Sequence, residues 1–143
     1  MNVVERVTVL RGVELFAGTP GRILAGLAAV AEEIDLDAGA ILLEQGELGQ
    51  TLFVVVAGDL VAEIAHQTIA TFTPGSVVGE LAVFVPEPRS ATVRALTPAH
   101  LLSIEKSAVD ELLLDHPEAA MSVITALVRR FQESNRIRSQ KST

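Results

Sequence analysis

Between Gly79 and Ala91 the chain gathers a glycine, a carboxylate and a guanidinium in one short segment. The run reads Gly79-Glu80-Leu81-Ala82-Val83-Phe84-Val85-Pro86-Glu87-Pro88-Arg89-Ser90-Ala91. Arg89 is the sole cation between Arg22 and Arg94. Its planar fork suits a phosphate group. Glu80 to Phe84 is long enough for one helical turn, whose first N–H groups lack intrahelical partners and favour an anion. Gly79 permits an unusual φ or a close backbone approach. Pro86 and Pro88 stiffen the loop and restrict where Arg89 can go. Glu80 can accept hydrogen bonds from sugar hydroxyls. The chemistry these residues suit is the binding of a sugar phosphate. A plainer reading stays open, with Glu80 and Arg89 paired across a loop and Gly79 at a bulge.

Other chemistries find little support. There is no Cys, which excludes a disulfide framework, a thiolate zinc site and a Cys nucleophile. Gly-x-Ser-x-Gly, His-Glu-x-x-His and Walker patterns are absent. His66, His100 and His116 are widely separated, and no His-x-His pair occurs. No metal site, no cofactor and no enzymatic activity are expected. Each histidine reads as a solvated residue beside a turn or strand start.

Those residues need elements to hold them. The 143 residues suit one domain. Apolar residues make up 49 %, but aromatics only 3 %, with five Phe and neither Trp nor Tyr. The core therefore has to be built from Val, Leu, Ile and Ala. Thr19 as cap and Pro20 as first helical residue predict a helix. Its apolar face would run through Ile23, Leu24, Leu27, Ala28, Ala31 and Ile34. From residue 40 short apolar runs alternate with glycine-bearing turns: Ile41–Leu43, Leu52–Val56, Leu60–Ala65, Thr68–Phe72, Ala91–Ala95 and Leu101–Ile104. The connections are too short for crossover helices, so the pattern predicts antiparallel strands in a sandwich or small barrel. Two helices follow, Lys106–Leu114 and one opened by Pro117, with a polar stretch expected to fray beyond Glu133.

Charge narrows the partners. The net charge is −7. Residues 1–128 carry six cations against seventeen carboxylates, and residues 129–143 carry five cations against Glu133 alone. An acidic body argues against a general nucleic-acid binder. The basic tail admits two readings: a docking segment, or a solvated helix end whose cations complement the helix dipole. No apolar run reaches the roughly 18–20 residues of a membrane span, so direct membrane insertion is not expected. No signal peptide is legible, so the expected location is cytoplasmic.

The segment from Gly79 resembles the phosphate-binding cassette of the cyclic nucleotide-binding domain family. That cassette reads Gly-Glu-Leu-Ala, six residues, then Arg-(Ala/Ser/Thr)-Ala. Gly79-Glu80-Leu81-Ala82, six residues and Arg89-Ser90-Ala91 match it without a gap. Upstream, Gln45-Gly46-Glu47-Leu48-Gly49-Gln50-Thr51-Leu52-Phe53 is similar to the family's Gly-Asp-x-Gly-Asp-x-Phe turn, and Gly58 to its next hairpin glycine. The resemblance spans roughly residues 10–135. Departures are Gln50 for a common Asp, Ser76 for an acidic residue, and Val78 for an aromatic.

The resemblance implies a mainly β domain with flanking helices: an eight-stranded antiparallel jelly-roll barrel over about 35–104. C-terminal helices would cover about 105–136 and a polar tail 137–143. It implies that Arg89 pairs with the phosphate of a 3′,5′-cyclic nucleotide. Backbone N–H groups of Ala82 and Ser90 would contact the same phosphate, and Glu80 would accept the ribose 2′-hydroxyl, helped by Gly79. Leu81 and Ala91 complete the ligand-binding cassette. cAMP is preferred to cGMP as ligand. Arg130 has two readings, a lid stacked over the base or a surface cation. The expected role is a regulatory sensor, with partners reached through the C-terminal helices: a second copy or an effector domain. The alternatives are an interaction domain that does not bind nucleotide and a regulatory piece of a larger transporter, channel or transcription regulator.

Overall fold

A computed structural model describes residues 1–141, with side chains described through residue 133. Helix α1 spans Val3–Arg11, a single 3-10 turn Glu14–Phe16, and α2 Gly21–Val30. Ten strands follow: β1 Glu32–Leu36, β2 Ile41–Leu43, β3 Leu48–Gly49, β4 Thr51–Ala57, β5 Leu60–Ile64, β6 Gln67–Phe72, β7 Val77–Val78, β8 Glu87–Pro88, β9 Thr92–Ala95 and β10 Ala99–Glu105. Helix α3, Glu80–Phe84, interrupts the series after β7. Helices α4, Lys106–Asp115, and α5, Pro117–Lys141, close the chain.

The fold is mainly β, antiparallel, with flanking helices. One sheet is ordered β1-β10-β4-β7, another β2-β9-β5-β6, and β3 pairs only with β8. The described sheets do not close into a single hydrogen-bonded barrel, and the strands number ten rather than eight. The surplus is the two-residue ribbon of β3 and β8, whose mixed sequences carry no strand periodicity.

Alternation explains where the core sits. On β4, Leu52 and Val54 face the helices, while Phe53 and Val55 face the second sheet. On β10, Leu102 and Ile104 face the helices and Leu101 faces the second sheet. This sheet is therefore covered on both faces, which is why its central strands read as unbroken apolar runs. Each fully buried Leu or Val there contributes on the order of 1.5–3 kcal/mol.

Three local expectations shift. Pro20, not Thr19, caps α2. The Thr19 N–H is taken by the Phe16 carbonyl at 2.9 Å, so Thr19 closes the preceding turn instead of opening a helix. The helix stops at Val30, short of Ile34, because Glu32–Leu36 pairs in register with β10, from Glu32 opposite Ser103 to Leu36 opposite Ala99. Helix α5 continues past Glu133 to Lys141, through a stretch with no Pro or Gly. Ser142 and Thr143, the end of the expected tail, lie outside the described residues.

Candidate functional site

The site begins with a glycine that no other residue replaces cheaply. Gly79 has φ +76° and caps α3, so Glu80 is the first helical residue. Leu81 is exposed, while Ala82 and Val83 are buried beneath it. The second half of the segment is stitched to the turn before β4. Strand β8 pairs with β3, Leu48 opposite Pro88 and Gly49 opposite Glu87. The Arg89 N–H donates to the Glu47 carbonyl at 2.7 Å, and the Gly46 N–H donates to the Arg89 carbonyl at 2.8 Å.

These bonds aim the Arg89 side chain back across the segment. Its Nη2 donates to the Thr51 carbonyl at 2.9 Å. Its Nη1 is buried and has no partner. A Cβ on Gly79 would collide with Nη1, and a Cβ on Gly49 would collide with Nε and Cζ. Two glycines thus form the cradle in which the guanidinium lies. Burial lowers the Arg89 pKa from its ordinary value, and Glu47 nearby partly offsets this.

A cavity of about 270 Å³ opens beside these groups. Its lining brings together Gly79, Glu80, Leu81, Ala82, Arg89, Ser90 and Arg130. Ala91 is not on the wall; it is buried between the sheets. Phe72 and Val77 also line the cavity and carried no signal in the sequence. Gly49 was visible only as a turn glycine; its closeness to Arg89 depends on the β3–β8 ribbon.

Glu80 and Arg89 do not pair with each other. The Glu80 carboxylate is taken by Arg130 of α5, through Oε2 and Nη1. The Glu80 pKa is raised, chiefly by burial; Arg130 opposes the shift and the negative charge of Glu14 adds to it. Arg130 is thus paired and half-exposed, on the wall of the cassette cavity. At the far end of α3, Lys106 Nζ donates to the Val83 carbonyl at 3.2 Å and meets Asp110 at 3.1 Å.

What the arrangement offers is a buried cationic donor without a protein partner, beside a carboxylate and an apolar wall. Leaving an enclosed donor such as Nη1 without an acceptor is costly unless a ligand completes it. Among the described residues, the other two unpartnered buried atoms belong to Arg6 and Thr19, away from this cavity.

The model of the family described as cyclic nucleotide-binding domain matches residues 33–116, which include this whole segment. The chain belongs to the cyclic nucleotide-binding domain family. Relatives extend the match beyond those residues. A CRP-like cAMP-activated global transcriptional regulator of Mycobacterium tuberculosis is 25% identical over 126 residues, covering 85% of this chain and 56% of that protein. A cyclic nucleotide-gated potassium channel of Mesorhizobium japonicum is 34% identical over 130 residues, covering 90% and 36%. Among solved structures, the N-terminal domain of a transcriptional regulator from Streptomyces coelicolor A3(2) superposes with a TM-score of 0.80 at 32% identity. It covers 90% of this chain and 94% of that one. The chain spans about half the length, or less, of the curated relatives it matches. No described helix is long and apolar enough to cross a membrane.

Proposed function

We propose that this domain is a cyclic-nucleotide sensor that binds cAMP in preference to cGMP. The observation that carries this is Arg89, a half-buried guanidinium with an enclosed, unpartnered Nη1, held between Gly79 and Gly49 on the wall of a cavity. In this reading Arg89 meets the cyclic phosphate, with N–H groups of Ala82 and Ser90 alongside it. Glu80 accepts the ribose 2′-hydroxyl, and Leu81, Phe72 and Val77 supply apolar contact to the base. The Mycobacterium relative's description as cAMP-activated supports the choice of base. A soluble second messenger also favours a cytoplasmic location.

We read the eight strands of the two larger sheets as a jelly roll. Numbered without the β3–β8 ribbon, they run 1-8-3-6 and 2-7-4-5. Output would pass through the C-terminal helices. Met121, Ile124, Val128 and Phe131 are exposed along α5 at alternating spacings of three and four. That stripe suits a second copy or an effector domain.

Isothermal titration with cAMP and cGMP tests the reading. cAMP should bind in the micromolar range or tighter, and more tightly than cGMP. Arg89→Ala should weaken it roughly 10- to 150-fold, the worth of a charge-assisted contact of about 1.5–3 kcal/mol. Absence of heat with both nucleotides at high micromolar concentration rules the reading out.

A further inference from the structure

Two cavities meet at Arg130. The cassette cavity lies on one side; a second, of about 340 Å³, lies on the other and is lined by Val13, Glu14, Thr71 and Ser76. Phe72, Val77 and Arg130 line both. Arg130 is therefore part of the wall that separates them. Its side chain is 37% exposed, so packing does not lock it in place. It has two carboxylates to choose from. Glu80 on α3 holds it now. Glu14, in the 3-10 turn, lines the second cavity with it. Glu14 is also close enough for its charge to act on Glu80.

Space and charge both favour a second position. The cassette cavity, at about 270 Å³, falls at or below the lower end of small-ligand sites, roughly 300–1,000 Å³. The larger neighbour is reached by moving one side chain. A sugar hydroxyl donating to Glu80 competes with the Arg130 fork for that carboxylate. A guanidinium released from Glu80 shares the wall of the second cavity with Glu14, a carboxylate that could take its charge there.

We propose that Arg130 is a two-position gate. Held by Glu80, it divides the two cavities. A cyclic nucleotide that takes Glu80 transfers it to Glu14, joins the cavities and moves α5. This rests on the cyclic-nucleotide reading above, and it makes Arg130 a positioning residue rather than a stacking lid. The device is bistable because one cation serves two carboxylates on different elements, and the ligand's differential contact with Glu80 sets the balance.

The test pairs titration with hydrogen exchange, using the full chain. Arg130→Gln should bind cAMP roughly two- to fivefold more tightly, the range for a partly exposed ion pair. The gain should be smaller for 2′-deoxy-cAMP, which lacks the competing hydroxyl. Glu14→Gln should weaken cAMP binding in the native background and lose that weakening in the Arg130→Gln background, where only its direct charge effect on Glu80 is left. Weaker or unchanged cAMP binding by Arg130→Gln overturns the gate. A ligand-free measurement keeps the two readings separable. Without nucleotide, Glu80→Gln and Arg130→Gln should each speed amide exchange along residues 124–133, and the double variant no further. If neither variant changes that exchange, the gate is refuted whether or not any nucleotide binds. If exchange responds as expected but no cyclic nucleotide binds wild type or Arg130→Gln, the Glu80–Arg130 hold on α5 stands, and the ligand reading falls together with the ligand-driven switch built on it.

Discussion

The Arg89 guanidinium fills the space that a side chain on Gly49 would need. The two residues are forty positions apart in the chain and are brought together by the β3–β8 ribbon. A turn glycine and the arginine proposed to bind phosphate are thus one unit.

Gly49→Ala should therefore act as a binding mutation. Gly49 is not among the glycines with positive φ, so the added methyl acts by displacing Arg89 and not through backbone strain. cAMP affinity should fall roughly tenfold or more, comparable with losing a paired guanidinium contact. Calorimetric titration beside a thermal melt checks this. A melt that collapses while binding persists would contradict it.

The hairpin between β5 and β6 carries removable strain. Ala65 and His66 both have positive φ, +51° and +63°. A two-residue turn of that shape favours Asn-Gly. Non-glycine residues in this region cost roughly 1–2 kcal/mol each. The double change Ala65→Asn with His66→Gly should raise the melting temperature by several degrees and leave cAMP affinity unchanged.

One cluster should make stability depend on pH from both sides. His100 Nδ1 lies 2.6 Å from Asp35 and its Nε2 lies 2.9 Å from Glu33. Both contacts raise the His100 pKa, with Asp35 the larger cause. A raised histidine pKa stabilises the fold fully below about pH 6.5, and the contribution is lost as pH climbs through the folded value. Glu33 behaves oppositely. The N-terminal amine, His100 and Arg6 lower its pKa to about 2, so its contribution is present above about 4.5 and lost as pH falls toward 2. Urea midpoints measured across pH should fall on both sides of those limits, with Glu80, whose pKa is raised, adding a further loss as pH climbs above about 4.5, and His100→Gln should flatten the alkaline side.

Leu101 and Leu102 should be equally costly to truncate, although they point in opposite directions. Both are 0% exposed, one against the second sheet and one against the helices. Each change to Ala should cost about 2–5 kcal/mol in denaturant titration. A much smaller loss at either position would show that its layer is loosely packed.

Local signals carried much of this into the sequence. Gly79, Glu80 and Arg89 were legible because turn chemistry, charge scarcity and proline spacing act within a dozen residues. The hairpins were legible from glycine punctuation. What stayed hidden depends on distant partners. Glu32–Leu36 reads as the end of a helix until β10 pairs with it and His100 takes Glu33 and Asp35. Of the three histidines, His100 was read as solvated for the same reason. Arg130 offers no sequence clue to Glu80, fifty residues away. Helix α5 runs on because nothing in residues 134–141 stops it, and polarity alone does not end a helix.

Helix α3 is held at both ends by different elements. Its first residue, Glu80, answers to α5 through Arg130, and its fourth, Val83, to α4 through Lys106. Those two helices are joined by His116 alone, with Pro117 opening the second. A rotation of this single turn pulls on both arms of one elbow. The quantity it changes is the angle between α4 and α5, which a pair of labels on the two helices would read as a single distance.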